Sequence, residues 1–224
     1  MRTGKRRARV PVLVPLGVTA TGERRVLDLR VVGAESTAAW GTVVRSLVTR
    51  GVTAPQLAVI DGHPGLPEAL RAAWPRIAIQ RCTVHKLRNL LTKAPRPLHE
   101  ELTDNNRRMS YGTTRDAVRS ARRTFRAKWR RECPGVLPSL DEAGEELFTL
   151  FPRAQWKALR TTNGLERING EFRRRTKTPA MLPSEDAVVL PLFGLLHSGA
   201  IRLRRLDGWR DLAASPPHPE QLAA

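Results

Sequence analysis

The 224-residue chain is short of the features that mark a secreted, membrane-bound or base-stacking protein. Two cysteines, Cys82 and Cys133, lie 51 positions apart and cannot make a disulfide framework, so a reducing cytoplasm fits best. The longest apolar stretches are broken by proline or charge well before about 18 residues, which excludes a membrane span. Aromatics are only 5% of the chain, with one Tyr and five Phe, too few for a platform that stacks single-stranded bases. A glycine-rich phosphate loop, a Gly-x-Ser-x-Gly elbow and a His-Glu-x-x-His pattern are all missing. Their absence argues against P-loop nucleotide hydrolysis, ester hydrolysis and zinc proteolysis.

Acidic residues are scarce too: 21 Asp and Glu against 39 Lys and Arg give a net charge of +18. Most of the cations are arginine, whose planar fork suits phosphate. A GC-rich genome can inflate arginine content, but this excess reads first as salt-sensitive contact with a nucleic-acid backbone, more plausibly a duplex. The hydrophobic share, 41%, is enough for one main core. The amino terminus combines a basic stretch, Met1 to Arg9, with an apolar one, Val10 to Val18, as a signal peptide does. Pro11 and Pro15 interrupt that run, and Val10, Val12, Val14 and Leu16 alternate as in a half-buried strand, so the strand is preferred.

The pattern predicts an antiparallel hairpin, with strands at about 10–19 and from Arg25 to Val32 around a turn at Thr21-Gly22. A helix capped by Ser36 places Ala39, Trp40, Val43, Val44 and Leu47 on one face and stops at Gly51. The strand Leu57 to Ile60 follows, and this crossover should set it parallel to the earlier strand. A helix from Leu66 to Trp74 and a strand from Ile77 to Ile79 complete an α/β first part. Beyond it the chain reads as helical: Lys86 to Thr92, Arg96 to Leu102, Thr114 to Trp129, Leu140 to Leu150 and Asn163 to Lys177. Arg107 to Arg131 is dense in arginine, either a solvated face or a contact surface.

Asp61 stands where an apolar strand gives way to a glycine-containing loop, the sheet edge at which α/β proteins usually place ligands. A carboxylate there suits Mg²⁺ or Mn²⁺, although a turn aspartate capping the next helix accounts for it equally well. Glu166 shares a helix stripe with Asn169 and Arg173, beside the core positions Leu165, Ile168 and Phe172. Local reasoning favours a capping box, Asn163 with Glu166, and pairs Glu171 with Arg167 or Arg175. Cys82 and His85 form half a zinc site, which Cys133 and His99 could complete only through unforeseen folding.

At these residues the sequence resembles the mutator-type transposases of bacterial insertion sequences, DDE recombinases with an RNase H-like core. The resemblance rests on Gly17-Val18 with Thr21 to Arg25, Glu35-Ser36 with Trp40, Arg50-Gly51, Asp61-Gly62 with Gly65-Leu66, and Gln80-Arg81-Cys82 with His85-Lys86 and Arg88-Asn89. It continues through Phe151-Pro152 and Trp156, then Arg160 to Asn163 with Glu166-Arg167 and Asn169, and ends at Arg173 to Lys177. It implies an α/β fold with an RNase H-like mixed sheet and an all-helical insertion between the second aspartate and the glutamate. The implied parts are a basic arm (1–9), a first core segment (10–85), the insertion (86–155), carboxy-terminal core helices (156–212) and a disordered tail (213–224).

By the same resemblance Asp61 and Glu166 are catalytic and metal-ligating, with two Mg²⁺ or Mn²⁺ ions in the complete site. Arg160, Asn163, Arg167, Asn169, Arg173, Arg174, Arg175 and Lys177 contact DNA, both transposon terminal repeats and target. Cys82 and His85 are a family signature without an assigned role. The implied protein is a nucleoid-associated, non-membrane homo-oligomer. The family's first aspartate lies on a strand just ahead of the segment that begins here at Met1. Glu23, Asp28 and Glu35 lack its surroundings, so the expectation is a fragment without the first strand, and inactive. The alternatives are a non-catalytic protein that occupies transposon ends and an RNase H-like nuclease without strand transfer.

Overall fold

Leu13 and Val14 are adjacent in sequence but buried in different apolar clusters, and this alternation sets the layering of the molecule. The computed structural model describes residues 11–148, 159–176 and 185–210. In it the amino-terminal hairpin consists of β1 (Val12–Leu13), β2 (Leu16–Val18), β3 (Arg24–Val26) and β4 (Arg30–Val31). Two continuous strands were expected, but two short antiparallel ladders form instead, β1 on β4 and β2 on β3. Pro15 separates them: it has no N–H for the ladder, although its carbonyl still accepts from Leu27 at 2.9 Å.

Helix α1 (Thr37–Thr49) starts as the sequence predicts, with Ser36 Oγ accepting from the Ala39 N–H at 3.1 Å. It buries Val43, Val44 and Leu47 against Leu66, Leu70 and Trp74, contributed by helix α2 (Gly65–Ala73) and the residue after it. Complete burial of such side chains is worth about 1.5–3 kcal/mol each. The two helices approach closely because Gly65 has no Cβ; one placed there would overlap the Thr37 side chain and backbone. Strand β5 (Leu57–Ile60) leads through α2 into β6 (Ala78–Arg81), and the two pair in parallel with Ile60 opposite Arg81. This corrects the expected pairing: β5 is laddered to β6, with no ladder to the hairpin among the described residues.

Beyond Arg81 the described residues contain helices and turns but no strand. Helices α3 (Thr83–Leu91), α4 (His99–Ser110), α5 (Arg115–Glu132) and α6 (Val136–Ala143) share a separate core around Leu90, Leu102, Met109, Phe125, Trp129 and Leu140. Several boundaries differ from expectation. Helix α3 begins at Thr83 instead of Lys86. A tight 3-10 turn, Arg96–Leu98, containing Pro97, precedes α4. Helix α6 stops before Gly144, whose φ of +55° ends the regular helix ahead of residue 150.

Helices α7 (Asn163–Thr176) and α8 (Glu185–His197) bring Ile168, Phe172 and Leu192 onto Val14. The hairpin therefore lies between α1 and α2 on one side and α7 and α8 on the other, a three-layered mixed α/β arrangement. No described helix is long and apolar enough to cross a membrane. The basic arm, the Phe151 to Trp156 motif, Lys177 and the carboxy-terminal tail lie outside the described residues.

Candidate active site at the strand ends

Parallel strands β5 and β6 end side by side, and the chemistry-bearing residues follow directly from their carboxyl ends. Asp61 comes one residue after Ile60, while the Cys82 N–H, one residue after Arg81, donates to the Ile60 carbonyl at 2.7 Å. Asp61 is exposed and forms no ion pair among the described residues; its Oδ1 accepts from the His63 N–H at 3.4 Å. That contact is a short loop turn and does not cap α2.

Cys82 opens α3, so His85 stands one turn later and Arg88 another. Both reach Glu166 on the first turn of α7: Arg88 Nη1 donates to Glu166 Oε1 at 2.9 Å, and His85 Nε2 lies 3.3 Å from the same oxygen. The capping-box reading of Glu166 is thereby corrected, because its carboxylate serves α3 and does not fold back on Asn163. Asn163 is itself the first helical residue, and the Glu166 N–H donates to the Thr162 carbonyl at 3.0 Å.

The junction between the segments is dense in hydrogen bonds. Buried Cys82 accepts at Sγ from the Thr162 N–H at 3.4 Å and lies 3.5 Å from its Oγ1. Thr162 Oγ1 is 3.3 Å from His85 Nδ1, and Thr83 donates to the Arg160 carbonyl through its N–H at 2.9 Å and its hydroxyl at 3.1 Å. The half zinc site of the sequence is thus a hydrogen-bonded brace between α3 and the entry to α7. No group of three or more metal-ligating side chains occurs among the described residues.

Of the expected basic wall, the Arg175 and Lys177 side chains lie outside the described residues. Arg167, Arg173 and Arg174 are exposed on α7, as is Asn163, with Asn169 half-buried. Arg174 is ion-paired to Glu171, for which the sequence predicted Arg167 or Arg175 as partner. Arg160, by contrast, is 1% exposed, with its guanidinium 5.1 Å over the Tyr111 ring. Burial pushes its pKa down to about 10, against the opposing pull of Tyr111.

A second charged cluster lies at the end of β6, against the loop that follows Asp61. Arg81 and Lys86, with side chains 5% and 3% exposed, both bond Glu142 of α6, and Lys86 also donates to the Ser139 carbonyl at 2.8 Å. Burial pushes the Glu142 carboxyl up, but Lys86 and Arg81 together outweigh it and hold the group below its ordinary value of 4.5. The available signal was the arginine that closes the apolar strand Ala78–Arg81, since a buried guanidinium requires a carboxylate. Nothing in the sequence singled out Glu142 as that partner.

Over residues 1–200 the chain matches the family model described as Transposase, Mutator family. It is 33% identical over 178 residues to the transposase for insertion sequence element ISRM5 of Rhizobium meliloti (strain 1021), covering 79% of this chain and 45% of that protein. Identity to the transposase for IS905 of Lactococcus lactis subsp. lactis (strain IL1403) is 30%, covering 78% of this chain and 45% of the relative. For the transposase of IS1081 from Mycobacterium tuberculosis (strain ATCC 25618 / H37Rv) it is 32% over 209 residues, 89% of this chain and 47% of the relative. The chain spans about half the length of these relatives.

Proposed function

Because the chain belongs to the Mutator family of transposases, we propose that it forms part of a metal-dependent catalytic core. That core would be RNase H-like and of the DDE type, cleaving DNA at transposon ends and joining the freed 3′ end to target DNA. The observation that carries this reading is the tie between its two carboxylates. Asp61 follows β5, Cys82 is bonded to the end of β5, and α3, which rises from Cys82, holds Glu166 through His85 and Arg88. Residues 105 positions apart are thereby linked through one short helix.

The donor chemistry fits Mg²⁺ or Mn²⁺, since both groups supply hard oxygens. Asp61 is exposed, and among the described residues the Arg88 and His85 contacts to Glu166 both fall on Oε1. Asp61 and Glu166 would hold a pair of divalent ions, whose chemistry would be activation of a nucleophile and stabilisation of the leaving oxygen. The chain's own part is positional: His85 and Arg88 orient the Glu166 carboxylate, and the exposed Arg167, Arg173 and Arg174 hold the duplex backbone.

Cleavage and joining are measured on a labelled transposon end with Mg²⁺, alongside Asp61→Ala and Glu166→Ala. Loss of both reactions in both variants is expected; activity indifferent to the two substitutions would overturn the assignment. A second reading is DNA binding without cleavage, which the net charge of +18 supports by itself. That reading predicts binding that survives both substitutions and no cleavage by the unsubstituted chain.

A further inference from the structure

We propose that Glu142, a carboxylate supplied by α6, is a positioning residue that keeps the Arg81 guanidinium off Asp61 and so leaves Asp61 open to a divalent cation. The inference rests on the reading of Asp61 as a metal-binding carboxylate.

Arg81 brackets Asp61. Its backbone is paired with Ile60, the residue before Asp61, and its guanidinium packs against Gly62, the residue after. A Cβ on Gly62 would come within 3.2 Å of Arg81 Nη2, and the φ of +114° at this position disfavours any other residue. With a side chain only 5% exposed, the guanidinium cannot be satisfied by water and requires a carboxylate. Asp61 adjoins the glycine it touches, yet the ion pair is made to Glu142 Oε1, and Asp61 has none among the described residues. Lys86 bonds the other oxygen of Glu142 and the Ser139 carbonyl, which fixes α6 against α3 and holds Glu142 in place.

Neutralising Glu142 leaves Arg81 buried and charged next to Asp61. The guanidinium then pairs with Asp61 and competes with the metal for its oxygens. Glutamine at position 142 still accepts from Lys86, so the substitution removes the charge while keeping a hydrogen-bonding side chain.

The test is Mn²⁺ titration followed by electron paramagnetic resonance of the free ion, with thermal melts to verify folding. Asp61→Asn, Glu142→Gln, Arg81→Met and the double variant Arg81→Met/Glu142→Gln are compared with the unsubstituted chain. Glu142→Gln is expected to weaken Mn²⁺ binding about tenfold or more, the effect of a nearby unit charge in a partly screened site. The double variant is expected to return to the parent affinity although the Arg81–Glu142 clamp is gone. If Glu142 served only to hold α6, the double variant would remain as weak as the single one, and the proposal is overturned. Unchanged binding in Glu142→Gln overturns it as well. Where Glu142→Gln does not fold, Arg81→Met decides: it should bind Mn²⁺ at least as tightly as the parent, and weaker binding sinks the idea. Should Asp61→Asn leave the affinity untouched, the underlying reading of Asp61 fails, and that result is separable from the others.

Discussion

His85 Nδ1 lies 3.3 Å from Thr162 Oγ1, joining two segments 77 positions apart. The other ring nitrogen faces Glu166, so the imidazole spans the loop before α7 and the first turn within it. Thr162→Val removes the hydroxyl at nearly constant volume and leaves the Thr162 N–H on Cys82. It should cost about 0.5–1.5 kcal/mol in urea unfolding, the usual net worth of a hydrogen bond. Thr162→Ser should stay close to the parent. Equal midpoints for the valine and unsubstituted proteins would show that the brace bears no strain.

Cys82 is 1% exposed and acts as an acceptor. Cys82→Ala strands the buried Thr162 N–H and should destabilise by about 1–3 kcal/mol. Because the sulfur's neighbours are Thr162 atoms, incubation with the zinc-selective chelator TPEN in excess Mg²⁺ should leave the melting temperature where it was. A large drop on chelation would restore the zinc reading.

How much of this could be read from the chain depended on range. Helix α1 was legible because Ser36, the apolar period and Gly51 are local signals that agree with one another. Ile168 and Phe172 were legible as core for the same reason. Glu166 misled local reasoning because Asn163 and Glu166 have capping-box spacing, whereas Arg88, which wins the carboxylate, lies 78 positions away. The Arg81–Glu142 pair spans 61 positions, and no periodicity predicts which acid meets a buried base. The hairpin was found but its continuity was not, because Pro15 acts only on the ladder bond it cannot make.

The helical segment has its own core, so its stability should respond to truncation there. Phe125 is 1% exposed, and its ring lies tilted at 44° with its centroid 5.9 Å from that of Trp129, which is wholly buried. Phe125→Ala should cost about 3–5 kcal/mol by calorimetry or denaturant titration, transfer and cavity effects acting together. A loss below about 0.5 kcal/mol, the size of a surface substitution effect, would mean that α5 does not pack as described.

Acid should release the α6 clamp. Partial burial raises the Glu142 pKa, Lys86 and Arg81 lower it further, and the folded value falls beneath 4.5. The unfolded chain therefore binds this proton more readily than the folded one. The resulting stabilisation is fully present above about 4.5 and is lost as pH falls through the folded value. The carboxylate is half-exposed, so the effect is modest. Melting temperatures measured downward from that pH should decline less steeply in Glu142→Gln than in the parent. Parallel curves would show that another carboxylate governs the acid limb.

DNA binding should separate the paired arginines of α7 from the unpaired ones. Neutralising a cation that contacts phosphate lowers the slope of log affinity against log salt by about 0.9 on duplex DNA. Arg167 and Arg173 are exposed and form no ion pair among the described residues, so Arg167→Gln and Arg173→Gln should each lower the slope by about that amount. Arg174 is already neutralised by Glu171, and Arg174→Gln should lower it by less. Because phosphate contacts carry no base information, the weakening should be uniform across unrelated duplexes of equal length. Fluorescence anisotropy over a salt series reads all three effects. If Arg167→Gln and Arg173→Gln both leave the slope intact, the DNA runs over a different face, and the contact assignment for α7 is wrong.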